Sequence, residues 1–205
     1  MKNILIVFSF LLLLVSCNNK QPDVSLLKNG DIIFQTSTSA QSKAIQLATN
    51  SKYSHCGIIY KEDGNYFVFE AVQPVKKTPL LKWIARGKDN HYVVKRLKNA
   101  DEVLTKKALN QMKSIGKSMN GKNYDLYFEW SNERIYCSEL VWKLYKQSTG
   151  LEVGKLQQLK EFDLSHPMVQ QKMKECYGNT IPLNEKVISP AAIFESDLLY
   201  TVTSN

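Results

Sequence analysis

The spacing of apolar residues changes along this chain, and each change marks an element. "NGDIIFQTS" follows an Asn-Gly turn and reads as a strand, with Ile32 and Phe34 on one face and Ile33 on the other. "SAQSKAIQLATNS" sets Ala40, Ala44, Ile45, Leu47 and Ala48 at helical spacing, with Ser39 as its N-cap. "YSHCGIIYK" and "NYFVFEAVQPV" are β-branched and aromatic runs on either side of Glu62-Asp63-Gly64. Asp-Gly signals a hairpin, because both central positions of a type I′ turn need positive φ. "HYVVKRLK" is a further strand.

In the second half, "DEVLTKKALNQMKSIGKSM" predicts one amphipathic helix, with Val103, Leu104, Ala108, Met112 and Ile115 on a single stripe. "NGKNYDLYFEWSNER" is an aromatic loop. "YCSELVWKLYKQSTG" predicts a second helix, with Leu140, Val141, Leu144 and Tyr145 inward and Gly150 as its stop. "ISPAAIFESDLLYTV" reads as a capped helical turn with Pro190 at its first position, then a last strand. The sum is an α+β domain, a small antiparallel or mixed sheet packed with helices.

The amino end has a different pattern. One lysine precedes an apolar run from Ile4 to Val15 that only Ser9 interrupts. That is short for a membrane span, which needs about 20 residues, and it fits the apolar region of a secretory signal. The run ends Leu14-Val15-Ser16-Cys17, which resembles a bacterial lipobox; the other reading is a plain signal peptide with an unrelated cysteine. On the lipobox reading, residues 1–16 are the signal peptide, 17–27 a lipidated tether beginning at Cys17, and 28–205 a single domain. The protein would then be held by lipid in the bacterial envelope, outside the cytoplasm.

At 205 residues the chain can bury one sizeable core, and 43% hydrophobic with 22% charged residues is globular rather than disordered. The formal charge of +8 favours anionic surroundings such as lipid or cell-wall polymer. The lysines are scattered rather than clustered with aromatics, so nucleic acid is not an expected partner.

With Cys17 lipidated, Cys56, Cys137 and Cys176 remain, an odd number that leaves at least one free thiol. His55 and Cys56 are adjacent, but neighbours on a strand point to opposite faces, so they are not expected to reach one pocket. Cys56 shares its face with Ile58 and Tyr60 and reads as packing. A two-residue Asp63-Gly64 turn puts His55 opposite Val72, with Glu70 as a diagonal neighbour on the same face. Glu70 lies in an apolar run where an unpaired carboxylate is costly. His55 and Glu70 therefore read as a base and its orienter. Cys137 opens a helix, where free N–H groups and the dipole favour a thiolate and can hold an oxyanion, so it is the best-placed nucleophile. Cys176 follows a charged helix end and lacks such a setting. His91 reads as a surface residue and His166 as a loop residue. No two of these side chains share metal-ligand spacing and no phosphate loop is present, so neither metal nor cofactor is expected.

The order "GDIIF", "YSHCGIIY", a glutamate on the next strand, then "YDLYFEWSNERIYCSELVWKLY" resembles the permuted branch of the NlpC/P60 cysteine hydrolases, the YiiX/YebB-like group of the papain-like superfamily. The likeness runs from about Gly30 to the end. In ordinary members the cysteine helix precedes the histidine strand; here it follows, which implies a circularly permuted papain-like fold. The resemblance implies Cys137 as nucleophile, His55 as base and Glu70 as third member. It implies hydrolysis of an amide or ester through an acyl-enzyme, with a peptidoglycan-type peptide or an acyl compound as substrate. Tyr124 sits where such enzymes carry a substrate-side tyrosine. Tyr53, two before His55, could also line the cleft; aromatic packing is the other reading of both. A non-catalytic envelope binding protein on the same scaffold is the competing class.

Overall fold

The computed structural model describes residues 22–205. The apolar leader and Cys17 lie outside the described residues. In chain order the elements are β1 (Ile32–Gln35), α1 (Ala40–Thr49), β2 (His55–Glu62), β3 (Asn65–Glu70), β4 (Lys76–Pro79), α2 (Leu80–Ile84), β5 (Val93–Leu97), α3 (Ala100–Val103) and α4 (Lys106–Met119). There follow β6 (Asn123–Tyr124), β7 (Arg134–Ile135), α5 (Cys137–Thr149), β8 (Gln157–Gln158), α6 (Pro167–Tyr177), β9 (Lys186–Val187), α7 (Pro190–Phe194) and β10 (Leu199–Ser204).

Six strands form one antiparallel sheet in the order β10-β5-β1-β2-β3-β4. The period-2 alternation of the strands decides what each face meets. Ile32, Phe34, Cys56, Ile58 and Leu97 point to one side, where they pack with Met112 of α4 and Leu140, Leu144 and Tyr145 of α5. Ile33, Ile59, Val68 and Val94 point to the other, under Leu80, Trp83 and Ile84 of α2. Both faces are covered, which is why the strands are nearly continuous in apolar residues.

The β2–β3 hairpin turns through Asp63 at φ 47° and Gly64 at φ 82°, the two positive φ values a type I′ turn demands. Glu62 pairs with Asn65, and the register runs back through Tyr60 opposite Phe67 to Ile58 opposite Phe69. This fixes which residues share a face at the far end of the hairpin.

Two features differ from the sequence reading. The stripe from residue 101 to 119 is broken into α3 and α4 at Leu104, which leaves helical geometry at ψ 50°. The hydroxyl of Thr105 accepts from the Ala108 N–H at 3.2 Å and starts a new helix, so local capping interrupts a continuous apolar period. β4 and α2 carry too little pattern to be foreseen. "KKTP" is an edge strand whose lysines face outward and of whose residues only Thr78 is buried.

At the start of the described chain residues 23–26 are exposed, and packing begins at Leu27. Leu27 is buried, and Arg96 donates to the Leu26 carbonyl at 2.6 Å while it chelates Asp31 at 2.7 and 2.8 Å. No helix among the described residues is long and apolar enough to cross a membrane.

Candidate active site

Cys137 is the first residue of α5. Tyr136 before it is extended and serves as the N-cap, and Glu139 reaches back to accept from the Tyr136 N–H at 3.4 Å. Ser138 donates to the Ile188 carbonyl at 2.8 Å, and the Ile188 N–H donates to the Tyr136 hydroxyl at 3.1 Å. The helix start is thus bolted to the segment leading into α7. Its first N–H groups have no intrahelical acceptor, and that of Cys137 is one of them.

His55 is the first residue of β2, and Glu70 the last of β3. Continuing the register past Ile58 opposite Phe69 sets Gly57 across from Glu70, so His55 and Glu70 are diagonal neighbours on one face. His55 Nε2 donates to Glu70 Oε2 at 2.6 Å. Gly57 is required between them: a Cβ there would lie 2.5 Å from Val68 Cγ1 and 2.8 Å from the Phe69 carbonyl oxygen. Trp83 stacks on the imidazole at a 5.8 Å centroid distance and fixes the plane of the ring.

The Glu70 carboxylate is fully buried and has three donors. Besides His55 it accepts from Thr78 Oγ1 at 2.5 Å and from Arg86 Nη2. Burial would raise its pKa, but His55, Thr78 and Arg86 outweigh that and hold it below the usual carboxylate range. Sequence reasoning missed Thr78 and Arg86. They come from β4 and the end of α2, which local pattern did not reveal. The one signal pointing to them was the carboxylate itself, which needed more than one partner to be buried.

Burial pushes His55 down, but the Cys137 thiolate and Glu70 overcome it and raise His55 to about 9. A hydrogen bond from the Cys56 thiol, the charge of His55 and the Cys56 backbone N–H outweigh burial and hold Cys137 well below the ordinary thiol range. Both shifts favour the thiolate–imidazolium pair over the neutral one.

Cys56 keeps the packing position expected of it and adds a contact that was not expected. It is buried with Ile58 and Tyr60, on the face opposite His55 as strand alternation requires, but it also touches Cys137. Both neighbours in "SHC" reach the same sulfur. The reason is position: they open β2, and α5 begins at that end of the strand, so faces that diverge along the sheet converge on one atom beside it.

Tyr124 lines a cavity together with His55 and feels the charge of Cys137. Tyr53 does not line the cleft. It is buried against Phe34 and stacks on Phe194 at 4.1 Å. It precedes the first strand residue, so the alternation that would have put it beside His55 does not extend to it. Cys176 is half-buried in α6, and burial pushes its thiol up. His166 caps α6, its Nδ1 accepting from the Met168 N–H at 3.1 Å, and His91 bonds the Asn205 carbonyl at 2.7 Å. Neither histidine approaches Cys137.

Two cavities flank the cysteine–histidine pair. One, of about 300 Å³, opens on Cys137 and is walled by Ile45, Phe128, Phe162, Val169 and Ile188, so it is apolar. The other, of about 310 Å³, opens on His55 and is walled by Ser37, Ser42, Ser54, Gln73 and Tyr124, so it is more polar. Gln41, Ile45 and Leu126 border both. A thiolate, a base with a buried carboxylate behind it, and unlike spaces on either side are the parts needed to split an acyl group from its leaving group.

Known proteins resemble this chain over most of its length. A family model described as "Permuted papain-like amidase enzyme, YaeF/YiiX, C92 family" matches residues 26–203. A curated Escherichia coli K12 protein described as "Uncharacterized protein YiiX" is 50% identical over 202 residues, covering 98% of this chain and 96% of that protein. A crystal structure described as metalloprotein yiiX from Escherichia coli O157:H7 superposes with a TM-score of 0.83 at 50% identity, covering 87% of this chain and 97% of that one.

Proposed function

The chain belongs to the permuted papain-like amidase family, and from that premise we propose that it is a thiol amidase that works through an acyl-enzyme, in the manner of NlpC/P60 hydrolases. The observation that carries this reading is the continuous line from Cys137 through His55 to the triply bonded Glu70 carboxylate.

The Cys137 thiolate attacks the amide carbonyl. The oxygen takes up negative charge against the N–H groups at the start of α5. His55, held protonated, gives its proton to the departing nitrogen, and the acyl group stays on the sulfur. Water enters, His55 takes its proton, and the thioester is hydrolysed. Glu70 fixes the His55 tautomer and stabilises the imidazolium throughout.

The two cavities bear on the substrate. The apolar one beside Cys137 suits an apolar acyl group, and the polar one beside His55 suits the leaving amine. A cell-wall peptide was the expectation from sorting to the envelope; the cavity walls favour a second reading, an acyl compound with an apolar chain. Incubation of wild type and Cys137→Ser with fragmented peptidoglycan and with a panel of acyl lipids and acyl amides, followed by mass spectrometry, tests both. Release of an amine or alcohol by wild type and not by Cys137→Ser supports the hydrolase. No turnover of any activated ester supports a binding protein instead.

The relative from Escherichia coli O157:H7 is described as a metalloprotein. Among the described residues of this chain, no group of three or more His, Cys, Asp or Glu side chains is placed to hold a metal ion. His55 Nε2 is committed to Glu70. The residues present do not fit a resident metal.

We place the mature protein on the envelope through lipid at Cys17, on the strength of "LVSC" after an apolar run. Radiolabelled fatty acid incorporated by wild type and not by Cys17→Ala tests this.

A further inference from the structure

Two sulfurs meet at the start of α5. Cys56 is fully buried on the α5 face of β2, across from Phe34 of β1, and its thiol donates a hydrogen bond to the Cys137 sulfur. Packing beside Ile58 and Tyr60 asks only for a small apolar side chain there. A cysteine does something more, because it sets a second thiol against the nucleophile.

The two sulfurs differ in access. Cys137 borders the apolar cavity, so a small molecule that enters it meets this sulfur. Cys56 lines neither of the two cavities that flank the pair. Cys176 borders the same apolar cavity from α6, where the charged groups that act on it are Lys172, Glu175 and Asp125 rather than Cys137. A reactive thiolate is open to peroxides, and its first oxidation product is rescued only if another thiol reaches it before more oxidant does. A disulfide forms without backbone movement only between sulfurs that already approach each other. Cys56 is the thiol in that position.

We propose that Cys137 and Cys56 form a peroxide-responsive pair, in which Cys137 takes the oxidant and Cys56 closes a reversible disulfide that switches hydrolysis off. In the first step the Cys137 sulfur bonds to one oxygen of hydrogen peroxide and the O–O bond breaks. The departing hydroxide takes the His55 proton and leaves as water, and Cys137 is a sulfenic acid. The Cys56 sulfur then attacks the Cys137 sulfur, the S–O bond breaks, and the hydroxyl leaves with the Cys56 proton as a second water. Two thiols have lost two electrons to one peroxide. A dithiol reverses the change by exchange.

This inference rests on Cys137 being the reactive thiol of the hydrolase, and the test keeps the two apart. Wild type, Cys56→Ser and Cys176→Ser are treated with hydrogen peroxide at neutral pH. Remaining thiols are blocked with iodoacetamide and the peptides mapped by mass spectrometry. Turnover of p-nitrophenyl butyrate is read on the same preparations, each relative to its own untreated rate, before and after dithiothreitol. In wild type and Cys176→Ser a Cys56–Cys137 disulfide should appear, turnover should fall about tenfold or more, and dithiothreitol should restore it. In Cys56→Ser, Cys137 should go on to the sulfinic acid, and dithiothreitol should restore nothing. Sulfinic Cys137 as the main product in wild type overturns the inference, as does a disulfide from Cys137 to a cysteine other than Cys56. So does a Cys137 that stays reduced, or full rescue of Cys56→Ser by dithiothreitol. The peptide map decides the pair even where untreated wild type turns over no ester, an outcome that would overturn the hydrolase instead.

Discussion

His55 Nε2 and Glu70 Oε2 lie 2.6 Å apart, on opposite arms of a hairpin whose turn is remote from both. The imidazole can bond the carboxylate only because Gly57 carries no side chain across from Glu70. The geometry of this pair is a property of strand register, and the register gathers the charges that act on the Cys137 thiol.

Iodoacetamide at pH 7 should label Cys137 at least tenfold faster than Cys56 or Cys176. Cys137 is held low, whereas burial pushes the other two thiols up. Peptide mass spectrometry over a time course measures it. Cys137→Ala and His55→Ala should each lower turnover by about 10²–10⁴-fold and leave the circular dichroism of the fold unchanged.

Acyl transfer should fall as pH rises through about 9, whereas alkylation should not. His55 is protonated below about 9 and supplies the proton for the leaving group only in that form. Cys137 is deprotonated at all pH values above its lowered pKa and remains so past 9. The pH profiles of kcat/KM and of alkylation, measured on one preparation, should therefore share an acid limb and part on the alkaline side.

Glu70→Gln should move the alkaline limb of turnover to lower pH. The carboxylate contributes both a hydrogen bond and a charge to the raised His55 pKa, and the amide keeps at most the first. Glu70→Ala should cost about 3 kcal/mol of folding stability in urea titration, because His55, Thr78 and Arg86 lose their shared acceptor at a buried position.

Cys56→Ala should shift the acid limb of Cys137 alkylation to higher pH, because a hydrogen bond from the Cys56 thiol is the largest influence holding Cys137 low. Cys56→Ser keeps a donor of similar size and should leave the limb closer to wild type. A rapid-quench alkylation series from about pH 4 to 8 distinguishes the two variants.

Gly57→Ala should lower stability by about 1–3 kcal/mol and displace Glu70, since the added methyl meets Val68 Cγ1 at 2.5 Å and the backbone oxygen of Phe69 at 2.8 Å. The midpoint of thermal unfolding should drop by several degrees, and turnover at a permissive temperature should fall with it.

Much of this arrangement was legible in the chain. Asp63-Gly64 set the register that brings His55 to Glu70, and a helix opening on Cys137 marked the thiol. Both signals are local, a turn dipeptide and a capping position. What could not be read depended on partners from distant segments with little pattern. Thr78 sits in a charged edge strand, and Arg86 follows a helix of five residues. Cys56 packs on the face its alternation predicts, and its further contact with Cys137 was not legible for a different reason. Alternation along a strand is a rule about the sheet, and it does not say what a neighbouring helix places at the strand's end. Tyr53 failed because the alternation was extended past the first strand residue.

The Asp63-Gly64 turn has a consequence for how this gene can vary. Exposed turns of polar residues are usually where chains accept insertions and fusions. Here one extra residue in either arm would rotate every later side chain of β3 to the other face of the sheet. Glu70 would then face α5, and His55 would lose its counter-charge without any change at the site itself. A solvent-exposed loop with open space around Gly64 is thus under length constraint, and indels there should be counted with active-site lesions rather than with neutral surface variation.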